Sequence, residues 1–64
     1  MDDSKAIEDA YEGVIDDMFK VLYFGVKQAN GDAAAETQAK KAFTAGLTLA
    51  RRARALALDA QKAA

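Results

Sequence analysis

The stretch Ala29-Asn30-Gly31-Asp32-Ala33 decides the fold of this chain, because it is the one strong turn signal between two helix-length blocks. Asn30 and Gly31 both tolerate the left-handed backbone conformation that ends a helix. Asp32 is then well placed to cap the helix that follows. A connection this short makes the two helices antiparallel neighbours. The stretch therefore predicts a helical hairpin.

The blocks on either side of this turn have the composition of long helices. Alanine, the best helix former, occurs 16 times in the 64 residues, and proline is absent. No alternating strand pattern appears. We expect a first helix from about Asp3 to about Ala29 and a second from about Ala33 to about Lys62. The fold class is all-α, with residues 1–64 forming a single helical-hairpin domain and residues 30–32 forming the turn.

The two predicted helices carry apolar stripes of unequal size. The stripe of the first helix is bulky and wider than one partner helix can cover. It consists of Ile7, Tyr11, Val14, Ile15, Met18, Leu22, Gly25 and Ala29. The stripe of the second helix is built from small residues, which let two helix backbones come close. It consists of Ala39, Gly46, Ala50, Ala53 and Ala57.

A chain of this size has a marginal core, and the usual remedies are disulfides, a metal or a second subunit. The sequence contains no cysteine and no histidine, which removes the disulfides and nearly every structural zinc site. Association remains. Apolar residues that remain uncovered beside the contact between two helices favour association of two hairpins. The expected product is a homodimer that forms a four-helix bundle with antiparallel neighbours.

Charge divides the chain at the turn. Residues 1–29 contain seven acidic and three basic side chains, a balance of −4, and residues 30–64 contain three acidic and six basic ones, a balance of +3. An antiparallel hairpin places the acidic start of the first helix beside the basic end of the second. The simplest role of this pattern is to select orientation and register.

No residue pattern suited to catalysis appears. Histidine and cysteine are absent, Ser4 is the only serine, and the acidic residues lie on the polar face of the first helix. No glycine-rich phosphate loop is present. We therefore expect no enzyme, catalytic residue, cofactor, metal site or small-molecule substrate. No apolar run approaches the ~20 residues that span a bilayer, and the acidic start lacks the features of a signal peptide. These features predict a cytoplasmic protein without a membrane partner.

Because no catalytic site is expected, we predict that the surface of the protein carries its function. The expected partners are a second copy of the chain and another protein. We expect a small regulator, inhibitor or assembly factor that binds through an apolar patch around Tyr23, Phe24 and Leu49. The full set of predicted partner-binding residues is Phe19, Tyr23, Phe24, Phe43, Leu49 and Leu56. Cations form the charged rim of this surface. They are Lys40, Lys41, Arg51, Arg52 and Arg54.

Other interpretations of the same residues stay open. The aromatic side chains near the turn can equally be core packing. The cations of the second helix can contact the phosphates of RNA or DNA, although no aromatic residues interleave with them to stack on bases. A structural subunit of a larger assembly is a third alternative. The size and shape resemble several unrelated groups of small bacterial helical-hairpin proteins, including secretion chaperones and small regulators. The Ala- and Arg-rich second helix is compatible with a bacterial or phage origin.

Overall fold

The computed structural model describes residues 2–63, which form two helices, α1 over Ser4–Ala29 and α2 over Ala33–Ala63. The first helix begins one residue after its predicted start, and the second continues one residue past its predicted end. Residues 2–63 contain no strand, and α1 packs against α2 as an antiparallel pair. The predicted all-α hairpin is therefore confirmed. Neither helix has the length and apolar character needed to cross a membrane.

The turn between the helices has the conformation that its residues predict. Asn30 has φ of 50° and Gly31 has φ of 87°, so both occupy the left-handed region. The backbone N–H of Asp32 donates to the carbonyl oxygen of Ala29 at 2.9 Å. The Asp32 carboxylate accepts the N–H of Ala34 at 2.9 Å, which caps α2. Three residues, Asn30, Gly31 and Asp32, thus connect the two helices.

The side chain that caps the start of α1 does not belong to the residue at the capping position. Asp3 is the capping position, but its side chain makes no capping hydrogen bond. The carboxylate of Asp2 instead accepts the N–H of Ser4 at 2.9 Å and its hydroxyl at 2.6 Å. Both hydrogen bonds lower the pKa of Asp2, and the bond from the Ser4 hydroxyl has the larger effect.

The helices approach closely where small residues meet. A Cβ atom placed on Gly25 would lie 3.0 Å from the Cβ of Ala39. One placed on Gly46 would lie 3.1 Å from the Cε of Met18. Gly13 has no such neighbour within 4 Å. The expectation that Gly46 makes room for a close neighbour is confirmed, and Gly25 does the same near the turn.

The hairpin is a single layer of helices. Its Cα atoms extend over 48 × 15 × 7 Å, and none of residues 2–63 is buried. The accessible surface is 5073 Å², whereas a compact protein of this mass exposes about 4,000 Å². Each hairpin therefore exposes about 1,000 Å² more than a compact protein of its size.

We predict opposite effects for alanine at two glycines. Gly13→Ala should raise the free energy of unfolding by about 0.5–1 kcal/mol, because it improves helix propensity in open space. Gly25→Ala should lower it by about 1 kcal/mol, because the rigid Ala39 side chain forces the backbones apart. Urea denaturation at matched protein concentration measures both. Equal stabilisation by the two substitutions would contradict the close approach at Gly25.

Candidate interaction surface

Two apolar grooves run along one side of the hairpin. The first, of about 500 Å³, extends toward the chain ends and is lined by residues that include Val14 and Leu49. The second, of about 330 Å³, lies nearer the turn and is lined by residues that include Val21 and Ala42. Met18 lines both grooves, so they meet at the middle of the hairpin.

The two grooves belong to one face because their lining residues repeat every seven positions. Val14 and Val21 are separated by seven residues in α1, and Ala42 and Leu49 by seven in α2, which is close to two helical turns. Leu56 continues the same row in α2. We call this surface the grooved face. It is defined by the groove-lining residues Val14, Met18, Val21, Ala42, Leu49 and Ala53, together with Leu56, which shares the direction of Leu49 by helical spacing. Its large side chains are strongly exposed, Val21 at 71% and Leu49 at 69%.

The other face of the hairpin carries the remaining apolar residues. Phe19 and Val26 each follow a groove-lining valine by five residues, which turns them about 140° around α1. Phe19 is 57% exposed, and Leu47 and Leu58 of α2 are partly covered.

Tyr23 and Phe24 lie on the outer side of α1. Gly25 points toward α2, and successive residues turn by about 100°, so neither aromatic ring faces the neighbouring helix. Both rings are exposed and contact each other edge to face, with centroids 5.7 Å apart. Leu49 lies elsewhere, because the contact of Gly46 with Met18 places it about 13 Å along the hairpin axis from Phe24.

At the end of the hairpin remote from the turn, polar contacts join the helices. Arg54 donates two hydrogen bonds to the Glu8 carboxylate, in the bidentate geometry that arginine favours. The same guanidinium lies over the Tyr11 ring, 5.4 Å from its centroid. The Gln61 amide donates to the Ser4 hydroxyl at 3.3 Å.

The Arg54 contact changes the ionisation of both partners. Its hydrogen bonds lower the pKa of Glu8, and the Glu8 carboxylate raises the pKa of Arg54. Glu8–Arg54 is the one ion pair between the helices within residues 2–63, because the other two, Lys5–Asp9 and Lys20–Asp16, join residues of α1. The predicted pairing of acidic and basic helix halves thus rests on a single ion pair at this end.

The other predicted rim cations have a different environment from Arg54. Lys40, Lys41, Arg51 and Arg52 are exposed. They form two rows, since residues eleven apart share a direction on a helix and adjacent residues differ by about 100°. Within the described part of the chain, no group of three or more acidic side chains is arranged to hold a metal ion.

The structure distributes the predicted partner-binding residues over several parts of the surface. Leu49 and Phe43 line the grooves, and Leu56 shares the direction of Leu49 by helical spacing. Tyr23 and Phe24 lie on the outer side of α1, and Phe19 lies on the opposite face. Val14 and Val21 were not among the predicted partner-binding residues, although their seven-residue spacing signals a shared face. Their exposure becomes evident only when the path of α2 is known.

No protein-family model matches this chain, and neither a curated protein nor a solved structure matches it.

We predict a pH-dependent effect of Glu8→Gln. The pKa of Glu8 is lowered by folding, so its ionised form stabilises the hairpin above the ordinary value of 4.5 and loses this effect as the pH falls through the lowered value. Glu8→Gln should therefore lower Tm at pH 7, and the difference from the unsubstituted chain should shrink toward pH 2. Thermal circular dichroism measures this, with Glu12→Gln as the matched control. An equal difference at both pH values would exclude the ion pair as its source.

Proposed function

We propose that this chain is a small, non-enzymatic protein-interaction module that works in the cytoplasm as a homodimeric four-helix bundle. In this proposal one apolar face closes the dimer, and exposed aromatic side chains bind another protein. The module would serve as a regulator, an inhibitor or an assembly factor. The observation that carries the proposal is the single helical layer in which none of the described residues is buried.

The physical reason lies in the architecture of stable domains. A helix must bury its apolar stripe against other elements, and domains are built from at least two packed layers. Here each helix has only one neighbour, and eight large apolar side chains remain exposed. Each chain exposes about 1,000 Å² more accessible surface than a compact protein of the same mass. A stable protein interface buries about 800 Å² on each partner, so this surplus is large enough for one.

The aromatic pair on the outer side of α1 supports binding of a second protein. Two helical hairpins packed face to face leave that side in solvent, so Tyr23 and Phe24 would stay exposed after dimerisation. Aromatic side chains are enriched in protein interfaces, and the tyrosine hydroxyl tolerates a partly wet surface. Their edge-to-face contact holds the two rings as one apolar unit.

The nucleic-acid alternative receives less support. Of the five cations that would contact phosphates, Arg54 is bound to Glu8. The other four lie in two separate rows, and Phe43, the one aromatic residue of α2, is partly covered and lines the groove near the turn instead of offering a free ring to stack on bases. RNA or DNA affinity that falls steeply with salt and is lost in Arg51→Glu would establish this alternative instead.

The first prediction from the proposal concerns mass in solution. Light scattering behind a sizing column should give about twice the chain mass of 6.8 kDa. The value should persist at high salt, because apolar burial is not screened by ions. A folded monomer at both salt concentrations would contradict the homodimer.

The second prediction separates partner binding from folding. Phe24→Asp should leave helicity and dimer mass unchanged, because the ring is 57% exposed in the hairpin, while binding of proteins captured by the unsubstituted chain is lost. Ala55→Asp, which adds the same charge at an exposed site of α2, should retain binding. Circular dichroism and quantitative crosslinking capture test both variants. Melting of the helices in Phe24→Asp would show instead that Phe24 belongs to a core.

A further inference from the structure

We infer that the grooved face is the dimer interface, and that it is covered by a second copy of this chain with both turns at the same end of the bundle. In this arrangement α1 of each copy packs on α2 of the other. The inference rests on the proposed homodimer and adds to it the face and the orientation.

The choice of face follows from composition. Apart from Asp17 near the middle and the Arg54 guanidinium at one end, the side chains that line the two grooves are uncharged. The opposite face carries the exposed cations Lys40 and Arg51. Covering that face would take these charges out of water, which costs free energy unless each is paired. The grooved face can be covered with little such cost.

The size pattern of the grooved face suits a copy of itself. Val21 of α1 and Leu49 of α2 are large and strongly exposed on this face. Small residues such as Ala42, Gly46 and Ala53 line the grooves beside them. Two-fold packing sets the large groups of one copy against the small groups of the other, which is the interdigitation of a well-packed core.

This size pattern permits two orientations, and charge distinguishes between them. With the turns at opposite ends, α1 would lie antiparallel on α1 of the second copy, bringing together two helices that each contain five acidic residues. The midpoint of Ser4–Ala29 falls beside Asp17, so the two copies of this rim carboxylate would face each other across the two-fold axis. Like charges placed together in an interface are strongly unfavourable.

With the turns at the same end, every neighbouring pair of helices is antiparallel and joins the acidic to the basic half of the chain. Because Met18 packs on Gly46, Asp17 then lies over the middle of α2 of the second copy. Lys41 and Arg52 flank that position at about 8–9 Å along the helix axis, which long basic side chains can span. Charge complementarity therefore selects this orientation.

The choice of face is tested by a matched pair of substitutions. Val21→Glu lies on the grooved face, where the side chain is 71% exposed in the hairpin and its loss costs the single chain little. Val26→Glu makes the same change on the opposite face. We expect Val21→Glu to raise the dimer dissociation constant at least about tenfold, as for a central interface residue, and Val26→Glu to change it less than about threefold. Sedimentation equilibrium measures both.

Circular dichroism over a concentration series keeps this test independent of folding. If Val21→Glu loses its helices on dilution and regains them on concentration, the effect is on association. Dissociation by Val26→Glu with an intact Val21→Glu dimer would overturn the choice of face while leaving the homodimer in place. A folded monomer of the unsubstituted chain would overturn both.

Orientation is tested by distance between spin labels, since the chain has no native cysteine. A label on Gln28→Cys, near the turn, should give an intermolecular distance below about 25 Å when the turns lie together. Opposite turns would separate the labels by about 35 Å along the axis. A label on Thr48→Cys, near the middle, should give a short distance in either case and serves as the control for dimer formation. A long Gln28 distance with a short Thr48 distance would overturn the orientation.

Discussion

Two helices joined by a short turn form one layer, and one layer has no interior. Every apolar residue in such a hairpin lies at the contact line or faces solvent on one of two sides. The 7 Å thickness of the Cα trace expresses this geometry directly. The exposure of Val21 and Leu49, and the excess of accessible surface, are consequences of it. The proposed second layer of helices, supplied by another chain, rests on the same constraint.

Small residues lie along the line where α1 and α2 touch. Met18 of α1 packs on Gly46, and Gly25 packs on Ala39, so a small residue faces its neighbour at both points. This brings the backbones together, but small side chains bury little apolar area. The close approach therefore sets the register of the hairpin more than its stability. The Arg54 bond to Glu8 secures the same register at the far end.

The fold was predictable from the sequence because its signals are local. The left-handed conformation of Asn30 and the cap supplied by Asp32 depend on a few neighbouring atoms, and periodicity shows which residues share a stripe. The surface was less predictable. Sequence reasoning grouped Leu49 with Phe24, yet their positions depend on how α1 and α2 are aligned. That alignment is determined by contacts such as Met18 with Gly46, which join residues distant in sequence.

The central claim is that the hairpin obtains its core from a second polypeptide, and the dependence of folding on concentration tests it most directly. If two chains of this composition fold together, Tm measured by circular dichroism should fall by roughly 5 °C for each tenfold dilution. The helical signal should also be lost at low concentration. A Tm that stays constant from millimolar to submicromolar protein would mean that the single layer is stable alone, and would contradict the claim.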